Sequence, residues 1–478
     1  MIKKEHLPIL LVLGFSLAFH LVGCFFLYDF SNDEGGYLIN AKNIVLFNTI
    51  SLEGVYNTAL APLHTLLHAF VYQFLSPGIF VSRYISILFA FLLLALFYVF
   101  AKKGYGRKIA VFSVLIIAVN GTFNRYTTLA VMEAEIYFFA ILATLFCFSS
   151  KSWVRRLSFL PFSVCLGFKP VLFYLAIPLL YAISTGSSEE DSAPKLSKKT
   201  IAEIGISTLG TLLLTGLIFY GAYAFNPEGF LTALSKQMNW LNLAEDHTSR
   251  FEIYRIIQDP LHYGPLPALY TFFQRSPVTS LFFLWGMVAA TLEKKKTNVD
   301  KFLLLWVFTE IIFYSLQSQV DYRYFIDLMF PLSILSVKTL LRSTDSGKLS
   351  SIKKYHAPQL LLVLIAIFQI GASFFFFLAW KPERPAMEAS QWLAENASEY
   401  ELALAPFQIA IDVPSKILSM SDVFTINDVL LARKVTYPVL CIVQRSAAHI
   451  FKEDEVLLET NGRLINKIGY FWIYEIWE

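Results

Sequence analysis

The chain has 478 residues, 56% hydrophobic, 16% aromatic and only 16% charged, with a net charge of +3. A soluble globular domain carries about 25% charged residues, so this composition excludes an ordinary water-soluble enzyme and points to a membrane protein with repeated spans of about 20 apolar residues. No Walker loop, no GxGxxG ahead of a strand and no basic stripe suited to nucleic acid is present.

The first apolar stretch, Leu7–Tyr28, follows Met1-Ile-Lys3-Lys4. It is too long for a signal-peptide core and lacks a small-residue cleavage site, so it is expected to remain as the first span. Asp29–Leu60 reads as a polar loop holding the adjacent acids Asp33 and Glu34, then two glycines and Tyr37. Ala61–Phe74 is too short to cross a bilayer and suits an interfacial or re-entrant helix. Further spans are expected at Ile79–Phe100, Ile109–Phe123, Ala134–Phe148, Leu157–Phe168, Pro170–Ile183, Ile201–Tyr223, Pro277–Leu292, Phe302–Leu316, Tyr324–Leu341 and Ala357–Trp380, eleven in all. The predicted class is an all-α polytopic membrane protein.

Six Lys/Arg clusters, at Lys3, Lys102, Lys151, Lys195, Lys294 and Lys348, fall on one side only if Ala61–Phe74 does not cross. The positive-inside rule then puts the N-terminus in the cytoplasm and Asp33/Glu34 outside. Turns at Asn124–Arg125 and Lys169, a loop from Ala224 to Ser276 and everything after Trp380 share that outer face. Ser184–Thr200 reads as a polar connector without site chemistry. Residues 1–380 form the expected membrane domain. Residues 381–478 carry nine basic and 14 acidic side chains, with a helix at Met387–Tyr400 and strands at Leu402–Ile411, Tyr437–Gln444 and Tyr470–Trp477, as in a small external α/β domain. The cysteines Cys24, Cys147, Cys165 and Cys441 read as small packing groups rather than a disulfide framework.

The outer helix ends collect Asp33, Glu34, Arg125, Glu133, Glu135, Lys169, Asp321, Arg323 and Asp327. Charge beside lipid is costly, so such a gathering is a candidate site. Acids there could activate a hydroxyl or hold an acceptor, and Lys169 and Arg323 could neutralise a phosphate leaving group. Each group also has a bland alternative. Glu133 and Glu135 could simply favour a helix N-terminus, Lys169 could snorkel at a helix break, and Asp321 and Arg323 could pair at a helix end. No cofactor is called for. His64 and His68, at i and i+4, could share a divalent metal such as zinc, but no third ligand stands out and they read as the polar face of the interfacial helix.

Several segments together resemble the GT-C glycosyltransferases of the dolichyl-phosphate-mannose protein mannosyltransferase superfamily, which includes the bacterial aminoarabinose transferases. Asp33-Glu34-Gly-Gly-Tyr37 matches the family's Asp-Glu-x-x-Tyr after the first span. Ala61-Pro62-Leu63-His64 resembles its Pro-Pro-Leu-x-Tyr segment, which precedes a membrane-lying helix. Ser82-Arg83-Tyr84 through Arg107, Gly167-Phe168-Lys169-Pro170, and Tyr322-Arg323-Tyr324 through Pro331 are similar to later family segments. The likeness covers roughly Leu7 to Leu341. It departs at Arg125, eight residues before Glu133, and in lacking the second proline, the Trp-Trp-Asp-Tyr-Gly signature and a large sugar-binding insertion. The resemblance implies inverting transfer of a sugar from a polyprenyl-phosphate carrier to a protein, lipid or glycan acceptor outside the cytoplasm of a bacterium or archaeon. Asp33, Glu34 and Glu133 would be the catalytic acids. Lys169, Arg323, Tyr324, Arg125, Tyr37 and His64 would bind substrate. The alternative class is a secondary transporter or flippase for a lipid-linked or anionic substrate. Transporters usually show internal repeats and midplane charges, whereas here no repeat is visible and the charges crowd one face.

Overall fold

The computed structural model describes residues 4–48, 61–185, 197–225, 227, 230–231, 265–316, 321–343, 357–379, 384–400, 402–412, 417–420, 438–444 and 452–477. The main helices are α1 (Leu7–Val22), α2 (Asn32–Phe47), α3 (Pro62–Tyr72), α4 (Ile79–Tyr105), α5 (Arg107–Ala118), α6 (Gly121–Thr128), α7 (Glu133–Cys147), α8 (Ser152–Arg156), α9 (Phe159–Phe168), α10 (Ala176–Thr185), α11 (Lys198–Phe225), α12 (Pro265–Arg275), α13 (Pro277–Leu292), α14 (Asn298–Ser315), α15 (Met329–Ser343), α16 (Ala357–Ala379) and α17 (Pro385–Asn396).

By length and apolarity, four helices among the described residues can cross a membrane: Leu7–Leu27, Ile79–Tyr105, Lys198–Ala224 and Tyr322–Arg342. A fifth arises if α5 and α6, bent by 71° at their junction, count as one broken span. Several other apolar helices, such as Pro277–Leu292, have only 10–17 residues. The expected total of eleven spans is therefore not established by helix length.

Three local differences from the sequence reading have clear causes. The expected single span Ile109–Phe123 breaks at Asn120, whose side chain accepts the amides of Thr122 and Phe123 and starts α6 afresh. Asn124 and Arg125, expected in a turn, lie inside that short helix. The supposed loop after Asp29 is helical from Asn32, because Ser31 and Glu34 form a reciprocal capping box. The short α3 is present at Pro62–Tyr72, started by a proline that loses no helical hydrogen bond there. Residues 49–60, 186–196 and 232–264 of the expected loops lie outside the described residues.

One large apolar core joins α1, α4–α7, α9, α10 and α13–α15. Gly167 permits a close approach within it, since a Cβ there would come 2.6 Å from Leu63 of α3. Ion pairs at one end of the bundle join Lys338 to Asp300 at 2.8 Å and Arg155 to Glu203 at 2.8 Å. The opposite end gathers the beginnings of α2, α4 and α7 and the break after α9.

The tail forms a five-stranded mixed sheet of β1 (Ala403–Pro406), β2 (Ile417–Met420), β3 (Val439–Gln444), β4 (Gly462–Ile468) and β5 (Phe471–Ile476), in the order β2-β1-β3-β5-β4. β1 pairs in parallel with β2 and β3, and β5 pairs antiparallel with β3 and β4. The expected strand over Leu402–Ile411 stops at Pro406, after which Phe407–Ala410 is helical. The described cysteines are all buried and unbridged.

The sheet and α17 share an apolar core with Phe30, Leu38, Ile39, Ile79 and Ala130. Polar clasps surround it. Asp29 accepts the amides of Ala386 and Met387 at 3.1 Å each, at the start of α17. Asp412 accepts the amide of Ile79 at 2.7 Å, at the start of α4. Lys42 donates to the carbonyl of Ala410 at 2.6 Å. Burial pushes both aspartates above the ordinary carboxylate range, and the amides they accept hold them back. Because an N-terminal cap stabilises by about 0.5–2 kcal/mol, Asp29→Ala and Asp412→Ala should each lower the melting midpoint of the detergent-purified protein. Unchanged midpoints in both would show that these clasps contribute nothing.

Candidate active site

Asp33 and Glu34 sit side by side in the first turn of α2, but neighbouring helical residues point about 100° apart. Glu34 turns inward and is completely buried. Arg83 grips it with Nε on Oε1 at 2.8 Å and Nη2 on Oε2 at 2.7 Å. The Ala130 amide donates to Oε1 at 2.9 Å, and the Ser31 amide to Oε2 at 3.0 Å. Arg83 also donates to the carbonyls of Tyr28 and Asp29, at 3.0 and 2.7 Å. Glu34, expected beside Asp33 as a catalytic acid, thus has both oxygens engaged in a clamp joining α2, α4 and the segment before α7.

Asp33 turns the other way and its side chain is 49% exposed. Arg323, from the 3-10 turn Tyr322–Ile326, donates to Asp33 Oδ2 at 2.6 Å. The Arg323 Nε also lies 3.8 Å from Glu133 and 3.5 Å from Asp321. Lys169 reaches the same Glu133 oxygen at 3.4 Å. The Lys169 ammonium stands 4.3 Å above the Tyr324 ring, and the Arg323 guanidinium 5.6 Å from it. Asp33, Arg323, Glu133 and Lys169 thus form a continuous ionic chain from four separated segments. The Asp321–Arg323 pair expected at a helix end is present, but as one branch of this chain.

Local backbone explains the placement. Lys169 ends α9 because Pro170 cannot continue the helix from there. Met132, just before Glu133, has φ of 71°, a left-handed conformation costly for a residue with a side chain. That twist aims the first turn of α7. Within the cluster, Oε2 of Glu133 and Nε of Arg323 are buried without hydrogen-bond partners among the described residues. The unfilled Arg323 donor, in the same cluster as the Lys169 ammonium, suits an anionic ligand, whereas Glu133 Oε2 is left to accept from a donor.

Tyr37 lies one turn along α2 from Asp33, on the same face of the helix. Its ring meets His64 edge-on at 5.7 Å, and His64 is thereby set behind Tyr37. Arg125 joins through Tyr126, whose ring lies 5.8 Å from Arg125 and 5.9 Å from Arg323. Glu135 is buried away from the ionic chain and accepts from Ser86 at 3.2 Å. Asp327 is buried below, where Tyr174 donates to it. Sequence reasoning missed Tyr126, whose hydroxyl donates to Tyr322 at 2.6 Å, and Arg275, which also donates to the Tyr322 hydroxyl.

The helical bundle with a charged end and a small sheet packed against it is a fold that this chain shares with solved structures of low sequence identity. It is similar to ArnT, the aminoarabinose transferase, from Cupriavidus metallidurans bound to undecaprenyl phosphate, with a TM-score of 0.64 and 13% identity over 98% of this chain and 97% of that one. It is also similar to the oligosaccharyltransferase of Archaeoglobus fulgidus in its apo form, with a TM-score of 0.54 and 11% identity over 93% of this chain and 70% of that one. The archaeal enzyme AglB in complex with an inhibitory peptide and a dolichol-phosphate matches at a TM-score of 0.52 and 11% identity, over 98% and 74% of the two chains. No protein-family model matches the sequence, and no curated protein does.

Proposed function

We propose that this protein transfers a sugar from a polyprenyl-phosphate carrier to an acceptor hydroxyl on the extracytoplasmic face of the membrane, with inversion. The observation that carries this reading is the ionic chain Asp33–Arg323–Glu133–Lys169. In it a half-exposed carboxylate pairs with Arg323, 11% exposed, and Glu133 links that cation to Lys169, 16% exposed. The fold's likeness to proteins solved with undecaprenyl phosphate and dolichol-phosphate supports a lipid phosphate as the anion.

In this reading the acceptor oxygen attacks the anomeric carbon as the bond to the phosphate oxygen breaks. Asp33 takes the hydroxyl proton, and the carrier leaves as polyprenyl phosphate. A single displacement of this kind inverts the anomeric centre. Lys169 and Arg323 stabilise the charge that builds on the phosphate. Glu133 holds both cations in place and so acts by positioning. Tyr37 and Tyr324 wall the site, and Arg125 supports it through Tyr126. Glu34, clamped by Arg83, fixes the turn that presents Asp33. Residues 1–380 would carry the reaction, and 381–478 would cover its outer face. No resident cofactor is needed for these steps.

The test is donor binding and turnover in purified variants. Losing one preorganised donor of this type costs about 10²–10³ in turnover, so Arg323→Ala and Lys169→Ala should each lower donor affinity and turnover together. Arg323→Lys should recover only part of the loss, because an ammonium cannot bind phosphate bidentately. Unchanged donor binding in both alanine variants would refute the phosphate role.

A further inference from the structure

Three buried groups beside this site take no part in the proposed transfer. His64 and His68 lie one turn apart on α3, as i and i+4 residues do, with ring centroids 4.3 Å apart and the rings tilted by 54°. Glu135 meets them from the first turn of α7. A ring nitrogen from each histidine and one Glu135 oxygen all lie within 4.8 Å of one another. All three residues are completely buried.

Their polar atoms do not satisfy one another. Both ring nitrogens of His64, Nε2 of His68 and Oε2 of Glu135 have no hydrogen-bond partner among the described residues. Backbone groups of Ala130 and Ser82 act on the two rings only from outside hydrogen-bond geometry. Buried polar atoms are rarely left this way, and here each of the three residues brings one ligand atom to the same place. The remaining atoms are fixed from behind. Nδ1 of His68 donates to the His64 carbonyl at 2.9 Å, which leaves the Nε2 lone pair facing the group. The Ser86 hydroxyl donates to Oε1 of Glu135 at 3.2 Å, which leaves Oε2 free. Outer hydrogen bonds of this kind orient metal ligands.

We propose that His64, His68 and Glu135 bind a divalent transition-metal ion of the zinc class, which ties the membrane-lying α3 to the helix that carries Glu133. Two imidazoles and a carboxylate suit zinc or a similar ion rather than magnesium or calcium, which prefer all-oxygen sites. Zinc ligands sit about 2.0–2.1 Å from the metal, so closing the three atoms around one ion takes side-chain shifts on the order of 1 Å. The sequence hid the site because Glu135, the third ligand, lies far along the chain from the histidine pair.

The test reads metal content, so its outcome does not depend on whether the donor is a lipid-linked sugar. The protein, purified in detergent without chelator, is assayed for bound metal, then stripped and titrated with Zn²⁺ and with Co²⁺, whose visible spectrum reports nitrogen and oxygen ligation. The proposal expects one ion per chain. His68→Ala and Glu135→Gln should each abolish high-affinity binding. Ser86→Ala, a mild change that should still fold, should weaken it by about 10–100-fold. Asp33→Asn should leave it intact. Wild-type protein that neither retains metal nor binds Zn²⁺ or Co²⁺ would overturn the proposal. So would binding that survives a His64→Ala/His68→Ala double variant, or binding lost in Asp33→Asn, since either puts the ion elsewhere.

Discussion

Asp33→Asn should lower the transfer rate by on the order of 10²–10⁴, the usual cost of removing a general base, while the protein folds normally and still binds the lipid donor. Asn keeps the shape and can still accept from Arg323, which holds Asp33 at 2.6 Å. What it loses is the ability to take a proton. Arg323, 11% exposed, keeps the carboxylates of Asp321 at 3.5 Å and Glu133 at 3.8 Å, so the substitution does not strand its charge. A near-normal rate in this variant would move the base to Glu133, whose Oε2 has no hydrogen-bond partner among the described residues. Single-turnover assays with saturating donor separate the chemical step from binding.

Glu34→Ala should fail in the opposite way. Both side chains of the Glu34–Arg83 pair are 0% exposed, so the substitution strands a buried guanidinium and removes acceptors from the Ala130 and Ser31 amides. Breaking a buried pair from one side costs about 3–5 kcal/mol. The expected result is a steep fall in melting midpoint and yield, with turnover per folded molecule much less affected. Glu34→Ala combined with Arg83→Leu should recover part of the loss, because the stranded charge is gone. A Glu34→Ala protein that is as stable as wild type but inactive would return Glu34 to the reacting centre. The adjacent pair therefore gives two variants with opposite signatures, one losing rate and the other stability.

Much of the architecture was legible from apolar run length and basic loops. The run Pro277–Leu292 coincides with α13, and the short Ala61–Phe74 run encloses α3. Elements governed by side-chain capping were harder to read. α2 starts on a capping box inside what looked like a polar loop, and Asn120 breaks a span that apolarity alone would continue. The site showed the same division. Asp33, Glu133, Lys169 and Arg323 could be picked out because charge at helix ends beside lipid is unusual. Their mutual geometry could not, nor could the split between Asp33 and Glu34, which depends on helix rotation. The bend at Met132 and the convergence of Glu135 on His64 and His68 are likewise products of tertiary packing.

The most direct test of the central claim is a transfer assay with purified protein in detergent or reconstituted vesicles, offered a polyprenyl-phosphate sugar or a nucleotide sugar as the only donor. The account predicts transfer from the lipid-linked donor, with polyprenyl phosphate released and the anomeric configuration inverted, and no transfer from the nucleotide sugar alone. Robust transfer from a nucleotide sugar in a carrier-free system would contradict it.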